Sequence, residues 1–162
     1  YRLLKKFDVK YAEVSDGSIE LEHSKKCEYI SRLAEHVTVL SEVGSKDAEK
    51  IIPPYMWLRY MKKEMKAGAY KLIAEARESG TVGIYRGTGE VRSGLIEEIL
   101  TEIPEETIIW EAPQKEQQVW FIKLLGPNVN LGNIAPNEIL PLETLRLGLR
   151  GDTFEHFLNM EK

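Results

Sequence analysis

The chain has 162 residues and a net charge of −4 with both signs interspersed, enough for one domain with its own core. No basic face for nucleic acid is visible, and no apolar run approaches the roughly 20 residues needed to span a bilayer, so nucleic-acid and membrane partners are not expected. Cys27 is the sole cysteine, which rules out an internal disulfide and fits a reducing, cytoplasmic setting; the opening residues carry no signal-peptide pattern.

Taken in order, Tyr1 to Phe7 reads as the last turns of a helix whose beginning is absent. Lys10–Val14 is a short strand running into the turn Ser15-Asp16-Gly17-Ser18, which holds helix-capping residues. Ile19–Glu35 follows at helical spacing, with Leu21, Cys27, Ile30, Leu33 and Ala34 as its apolar face. Val37–Val43 is the clearest β-branched run and ends at Gly44-Ser45-Lys46-Asp47. Pro53-Pro54 opens a helix with Trp57, Tyr60, Met61 and Met65 on one face, stopped by Gly68.

Lys71–Glu75 is the third strand, followed by a glycine-rich segment, Gly80 to Gly89, expected as an ordered loop over the strand ends. Val91–Thr101 is a helix with Leu95, Ile96, Ile99 and Leu100 as its stripe. Ile108 to Ile134 then reads as strand, helix, strand. The first strand ends on Glu111 and the second on an Asn130-Leu131-Gly132-Asn133 turn. Pro136 and Pro141 bracket a loop, Leu142–Leu149 is a helix with Leu142, Leu145 and Leu149 inward, Arg150 to Phe154 ends it, and residues 155–162 form a frayed polar tail.

Five strand-then-helix units without hairpin signals imply a parallel α/β sheet. A closed barrel of this kind needs eight such units and typically about 200 residues or more. Five units therefore make either an open doubly wound sheet or most of a (βα)₈ barrel whose first units are missing, and the opening residues favour the barrel. The expected domain is residues 1–154.

Parallel strands joined by helices place all their carboxyl ends on one edge, where α/β proteins put their chemistry. That edge would receive Ser15 and Asp16; Glu42, Ser45 and Lys46; Glu75, Arg77, Glu78 and Ser79; Glu111 and Gln114; and Asn130, Gly132 and Asn133. Glu42, Glu75 and Glu111 would repel one another without a cation, and an oxygen-only set suits a hard ion such as Mg²⁺. The plainer alternative pairs each glutamate with Lys46, Arg77 or Lys115. Gly132-Asn133 is a candidate phosphate seat, because barrel enzymes hold phosphate on backbone N–H groups after their last strands. Gly87-Thr88-Gly89 lacks the third glycine of a dinucleotide fingerprint. His23, His36 and His156 have no ligand spacing and read as surface or helix-packing residues; Trp57, Trp110 and Trp120 read as core.

Several stretches carry a resemblance. Ser15-Asp16-Gly17, Leu40-Ser41-Glu42-Val43-Gly44-Ser45-Lys46, Glu75-Ala76-Arg77-Glu78-Ser79-Gly80, Glu111-Ala112-Pro113-Gln114-Lys115, Asn128 to Ile134 and Leu142 to Phe154 closely resemble the phosphosulfolactate synthase family, in order, from about Phe7 to Phe154. The segment Ile84 to Gly89 and the end of the chain match poorly. The resemblance implies a (βα)₈ barrel lyase adding sulfite to phosphoenolpyruvate, with Mg²⁺, to give (2R)-phospho-3-sulfolactate, which leads to coenzyme M or to sulfolactate. Family chains are longer, and their first βα units have no counterpart here.

The roles the resemblance implies are these. Lys46 would be the general acid, with Arg77 and Glu78 as further catalytic candidates and Arg77 holding sulfite or carboxylate. Ser15, Asp16, Ser79, Asn130, Gly132, Asn133 and Arg150 would bind substrate, the Asn-Gly-Asn set taking phosphate. Glu42, Glu75 and Glu111 would hold Mg²⁺ directly or through water. A homo-oligomer, a trimer by analogy, is expected. Two other readings are a non-catalytic relative serving as a stress-related or protein-interaction module, and another phosphoenolpyruvate-using barrel with a different nucleophile.

Overall fold

Five strands pair side by side in chain order, every pair parallel: β1 (Tyr11–Val14), β2 (Thr38–Val43), β3 (Ala69–Ala74), β4 (Ile108–Glu111) and β5 (Leu131–Gly132). The computed structural model describes residues 1–47, 49 and 51–160. The helices are α1 (Arg2–Lys6), α2 (His23–Ala34), α3 (Pro54–Ala67), α4 (Ser93–Leu100), α5 (Lys115–Leu125), α6 (Ile139–Arg146) and α7 (Gly151–Met160). A doubly wound sheet reverses its strand order partway. Here each crossover steps to the next strand, and right-handed crossovers that all step one way leave their helices on one face. The architecture is therefore α/β with a five-stranded parallel sheet in the arrangement of a barrel sector.

The two faces of the sheet differ in chemistry. Val39, Leu72, Ala74, Ile108 and Trp110 turn toward the helices and meet Ile30, Trp57, Met61, Ile96, Ile99 and Ile122 in one core. Trp110 stacks on Phe121 of α5 with ring centroids 5.1 Å apart. Burial of each such side chain contributes on the order of 1.5–3 kcal/mol. The alternate residues point to the other face. In register these are Glu13 with Leu40, and Glu42 with Ile73 and, through it, Ile109. Glu75 and Glu111 continue that face at its carboxyl end.

Local chemistry explains where the elements depart from expectation. The second helix begins at His23 rather than Ile19, because the would-be capping groups are used elsewhere: the Ser15 hydroxyl donates to Glu42 and the Asp16 carboxylate pairs with Lys26. Pro141 does not close a loop but sits in the first turn of α6, where a missing N–H leaves no intrahelical bond unmade. That helix buries Leu142 and Leu145 as expected but ends at Arg146, leaving Leu149 exposed. Arg150 to Phe154 starts a helix instead of ending one. Thr153 of α7 is buried and donates to the Leu145 carbonyl (2.7 Å), and residues 155–160 continue that helix rather than forming a frayed tail; residues 161–162 lie outside the described residues. Gly68 ends α3 in the left-handed conformation, as expected.

Candidate active site

The carboxyl ends of β2 and β3 bring two acids into contact. Gly44 follows β2 with φ +145°, and a Cβ there would lie 2.3 Å from Glu75 Cβ, so only glycine lets Glu75 settle beside Glu42. Glu75 is fully buried, and among the described residues no donor reaches either of its carboxyl oxygens. Glu42 accepts from the Ser15 hydroxyl at 2.5 Å. Lys46 Nζ lies 3.7 Å from Glu42 Oε2 and 3.7 Å from Glu75 Oε2. Glu111, at the end of β4, accepts the Ala76 N–H at 2.6 Å.

The protonation pattern follows from this crowding. Burial, then the Glu42 carboxyl and Glu111, hold the Glu75 carboxyl well above the usual range. Burial pushes on Glu42 too, but the neighbouring Glu75 carboxyl, the hydrogen bond from Ser15 and the charges of Lys46 and Lys26 outweigh it, so Glu42 is the ionised member. Burial lifts Glu111 to about 6 against the stabilising Ala76 N–H. Glu13, on the same face, is raised by burial and by Glu42. Burial opposes the charge on Lys46, yet Glu42, Glu75, Glu111 and Glu13 together hold its pKa up.

The plainer pairing scheme holds for Lys46 only. Arg77 donates through Nε (2.7 Å) and Nη2 to the Lys46 carbonyl, and Lys115 pairs with Asp152 at 3.1 Å. Carboxyls thus outnumber the ammonium beside them. Their chemistry, oxygen-only with unpartnered buried oxygens, fits a hard cation at the Glu42–Glu75 pair. Among the described residues no three His, Cys, Asp or Glu side chains stand close enough to hold a metal, so the expected trio is not assembled as three direct ligands. Glu111 is engaged by the Ala76 N–H.

The remaining expected residues divide. Asn133 takes the left-handed conformation (φ +56°) and directs Nδ2 toward the Ala76 carbonyl (3.4 Å), bringing the β5 turn to the end of β3. Gly132 pairs with Glu111, its carbonyl accepting the Ala112 N–H at 3.0 Å. The Ser79 hydroxyl meets Thr81 at 2.8 Å, and Gln114 Nε2 donates to the Ser79 carbonyl at 2.6 Å. Glu78 is exposed.

One candidate lies elsewhere than the sequence reading put it, and two more are placed by their own contacts. Asn130 precedes the short β5, and its side chain donates to the Glu106 carbonyl before β4 (3.2 Å), at the opposite edge of the sheet. Asp16 is engaged by Lys26 at 2.8 Å. Arg150 precedes α7, its carbonyl accepting from Thr153 and Phe154, and among the described residues no hydrogen bond or ion pair joins it to the strand-end acids. Sequence reading also missed Glu13, Lys26 and Glu64. Glu13 was recoverable from alternation, since it shares the parity of Ser15. A buried lysine and glutamate on helices had no signal.

The glycine-rich segment is ordered, as expected. Tyr85 donates to the Glu111 carbonyl (2.6 Å), and Gln117 Nε2 donates to the carbonyls of Gly80 (2.7 Å) and Gly89 (3.1 Å). The loop therefore hangs from the ends of β4 and α5 and covers the carboxyl edge.

Comparison with known proteins identifies the family. The family model described as (2R)-phospho-3-sulfolactate synthase (ComA) matches residues 1–152. The chain is 48% identical over 145 residues to the phosphosulfolactate synthase of Methanothermobacter thermautotrophicus, covering 87% of this chain and 56% of that protein. It is 46% identical over 151 residues to that of Bacillus subtilis (91% and 60%), and 40% identical over 146 residues to that of Methanocaldococcus jannaschii (88% and 58%). The chain thus spans less than two thirds of the length of each of these relatives. With the family model matched over nearly its whole length, the chain belongs to the phosphosulfolactate synthase family.

Proposed function

We propose that this chain carries the reacting groups of a Mg²⁺-dependent lyase that adds sulfite to phosphoenolpyruvate, giving (2R)-phospho-3-sulfolactate. The observation that carries the reading is the Glu42–Glu75–Lys46 cluster at the carboxyl edge, in a chain of this family. In the reaction the sulfur lone pair bonds to C3, the C2–C3 π pair moves toward the carboxylate, and C2 takes a proton. Lys46 is assigned that proton. Its carboxylate neighbours keep it charged, which also serves to draw two anionic reactants together.

Glu42 and Glu75 would hold Mg²⁺ directly and Glu111 through water. Bound there, the ion supplies charge neutralisation for the substrate carboxylate. Arg77 spends two N–H groups on the Lys46 carbonyl and keeps three for sulfite or carboxylate oxygens. Gly132 and Asn133 remain the phosphate candidates on this edge, with Ser15 and Ser79 beside them.

The reading extends to a cytoplasmic homo-oligomer. Exposed Leu140, Leu147, Leu149, Phe154 and Leu158 on or near α6 and α7 support an assembly, and no helix of the described residues is long and apolar enough to cross a membrane.

Phosphorus NMR of the chain with phosphoenolpyruvate, sulfite and Mg²⁺ tests the reaction. A new phosphoester resonance that appears only with sulfite is expected. Consumption of phosphoenolpyruvate without sulfite, or with another nucleophile in preference, would overturn it.

A further inference from the structure

Lys26 projects from α2 and is 2% exposed. Its ammonium reaches three acceptors on three different elements: Asp16 Oδ1 after β1 (2.8 Å), Glu64 Oε1 on α3 (3.1 Å) and the backbone carbonyl of Glu42 on β2. Glu64, 1% exposed, is held from two further sides: the Ser41 hydroxyl donates to Oε2 (2.6 Å), and His23 Nε2 lies 2.9 Å from Oε1. Ser41 and Glu42 are neighbours on β2 that point to opposite faces. The network therefore grips β2 from behind at two successive residues, while the Glu42 side chain points into the candidate site.

A buried ion cluster of this kind is a weak source of stability, because desolvation of its charges offsets their attraction. What it supplies is position. The bond to the Glu42 carbonyl comes at the last turn of chain before Gly44, which admits Glu75, and before Lys46. The bond to Asp16 comes one residue after Ser15, which donates to Glu42. One ammonium thus ties together the backbone that presents Ser15, Glu42 and Lys46.

We propose that Lys26 is a positioning residue of the active site, clamping the ends of β1 and β2 to α3 so that the Glu42, Glu75 and Lys46 side chains meet. The inference rests on the reading above of those three residues as the reacting set. Lys26 itself bonds the Glu42 carbonyl rather than its carboxylate and takes no part in proton transfer.

Lys26→Met alone strands two carboxylates behind the sheet and is expected to destabilise the whole chain. The deciding variant is Lys26→Met with Glu64→Gln, which removes one charge of each sign. Amide hydrogen exchange followed by NMR reads the clamp without any turnover. The Glu75 N–H, which donates to the Val43 carbonyl at 3.0 Å, reports the β2 end, and the Trp110 and Ala112 amides report the sheet beyond it. The expected result is exchange at Val43 and Glu75 at least tenfold faster, with Trp110 and Ala112 within threefold of the parent. In the sulfite assay, kcat should fall at least tenfold while KM for phosphoenolpyruvate moves less than threefold. Unchanged exchange at Glu75, or equal acceleration throughout the sheet, would overturn the proposal. A parent chain without sulfite-dependent turnover would count against the proposed reaction alone, and the exchange pattern would still decide the role of Lys26.

Discussion

At the scale of single residues, the site is a crowd of carboxyls around one ammonium, and its pH behaviour follows. Glu111 titrates near 6 in the folded chain, above its value when unfolded. Between about pH 4.5 and 6.5 the folded state therefore binds more protons than the unfolded state, and stability falls as pH rises through that window. Glu75, raised further, adds to the same downward trend above it. In metal-free buffer the melting temperature should decline from pH 4.5 to 6.5, and Glu111→Gln should flatten that decline; a rise over the window would contradict the assignment. The acids at the carboxyl edge were legible in the sequence because a strand pattern followed by a lone Glu is a local signal. Lys26 was not. The helical stripe was read from apolar residues, and a lysine satisfied by Asp16, Glu64 and a backbone carbonyl breaks that pattern without leaving any trace in it.

At the scale of elements, the β2 end is the most constrained piece of backbone. Gly44→Ala must adopt a left-handed φ and overlap Glu75 Cβ, so we expect a loss of at least about 1–3 kcal/mol in urea unfolding together with lost turnover. Met61, fully buried on the inner face of α3, is the control: Met61→Ala should cost about 2–5 kcal/mol through a cavity while leaving the site geometry in place in the folded fraction. Helix starts were the least legible elements. Ser15 and Asp16 look like caps in the sequence, but tertiary partners claim both. The short β5 shows the same limit. A two-residue strand placed slightly later than its pattern implied moves Asn130 from the carboxyl edge to the amino edge and leaves Asn133 as the group that reaches β3.

At the scale of the whole molecule, chain-order pairing with helices on one face separates a packed core from a second face of mixed apolar and acidic residues, and the carboxyl end of that face is where the acids gather. The parallel class was legible in five strand-helix repeats; the choice between barrel sector and doubly wound sheet needed the strand order itself. If the Glu42–Glu75 pair takes a cation, Mg²⁺ at about 100 times its dissociation constant should stabilise the chain by about 2.7 kcal/mol, and the Glu42→Gln, Glu75→Gln double variant should lose that increment. The proposed chemistry sits at the carboxyl edge around Lys46. The most direct test compares sulfite-dependent product formation by phosphorus NMR for the parent chain, Lys46→Ala and Asn130→Ala. Turnover is expected in the parent, with near-parent turnover in Asn130→Ala. Lys46→Ala should fall on the order of 10²–10⁴-fold, with substrate binding partly retained. Near-normal turnover in Lys46→Ala, or equal damage in Asn130→Ala, would contradict it.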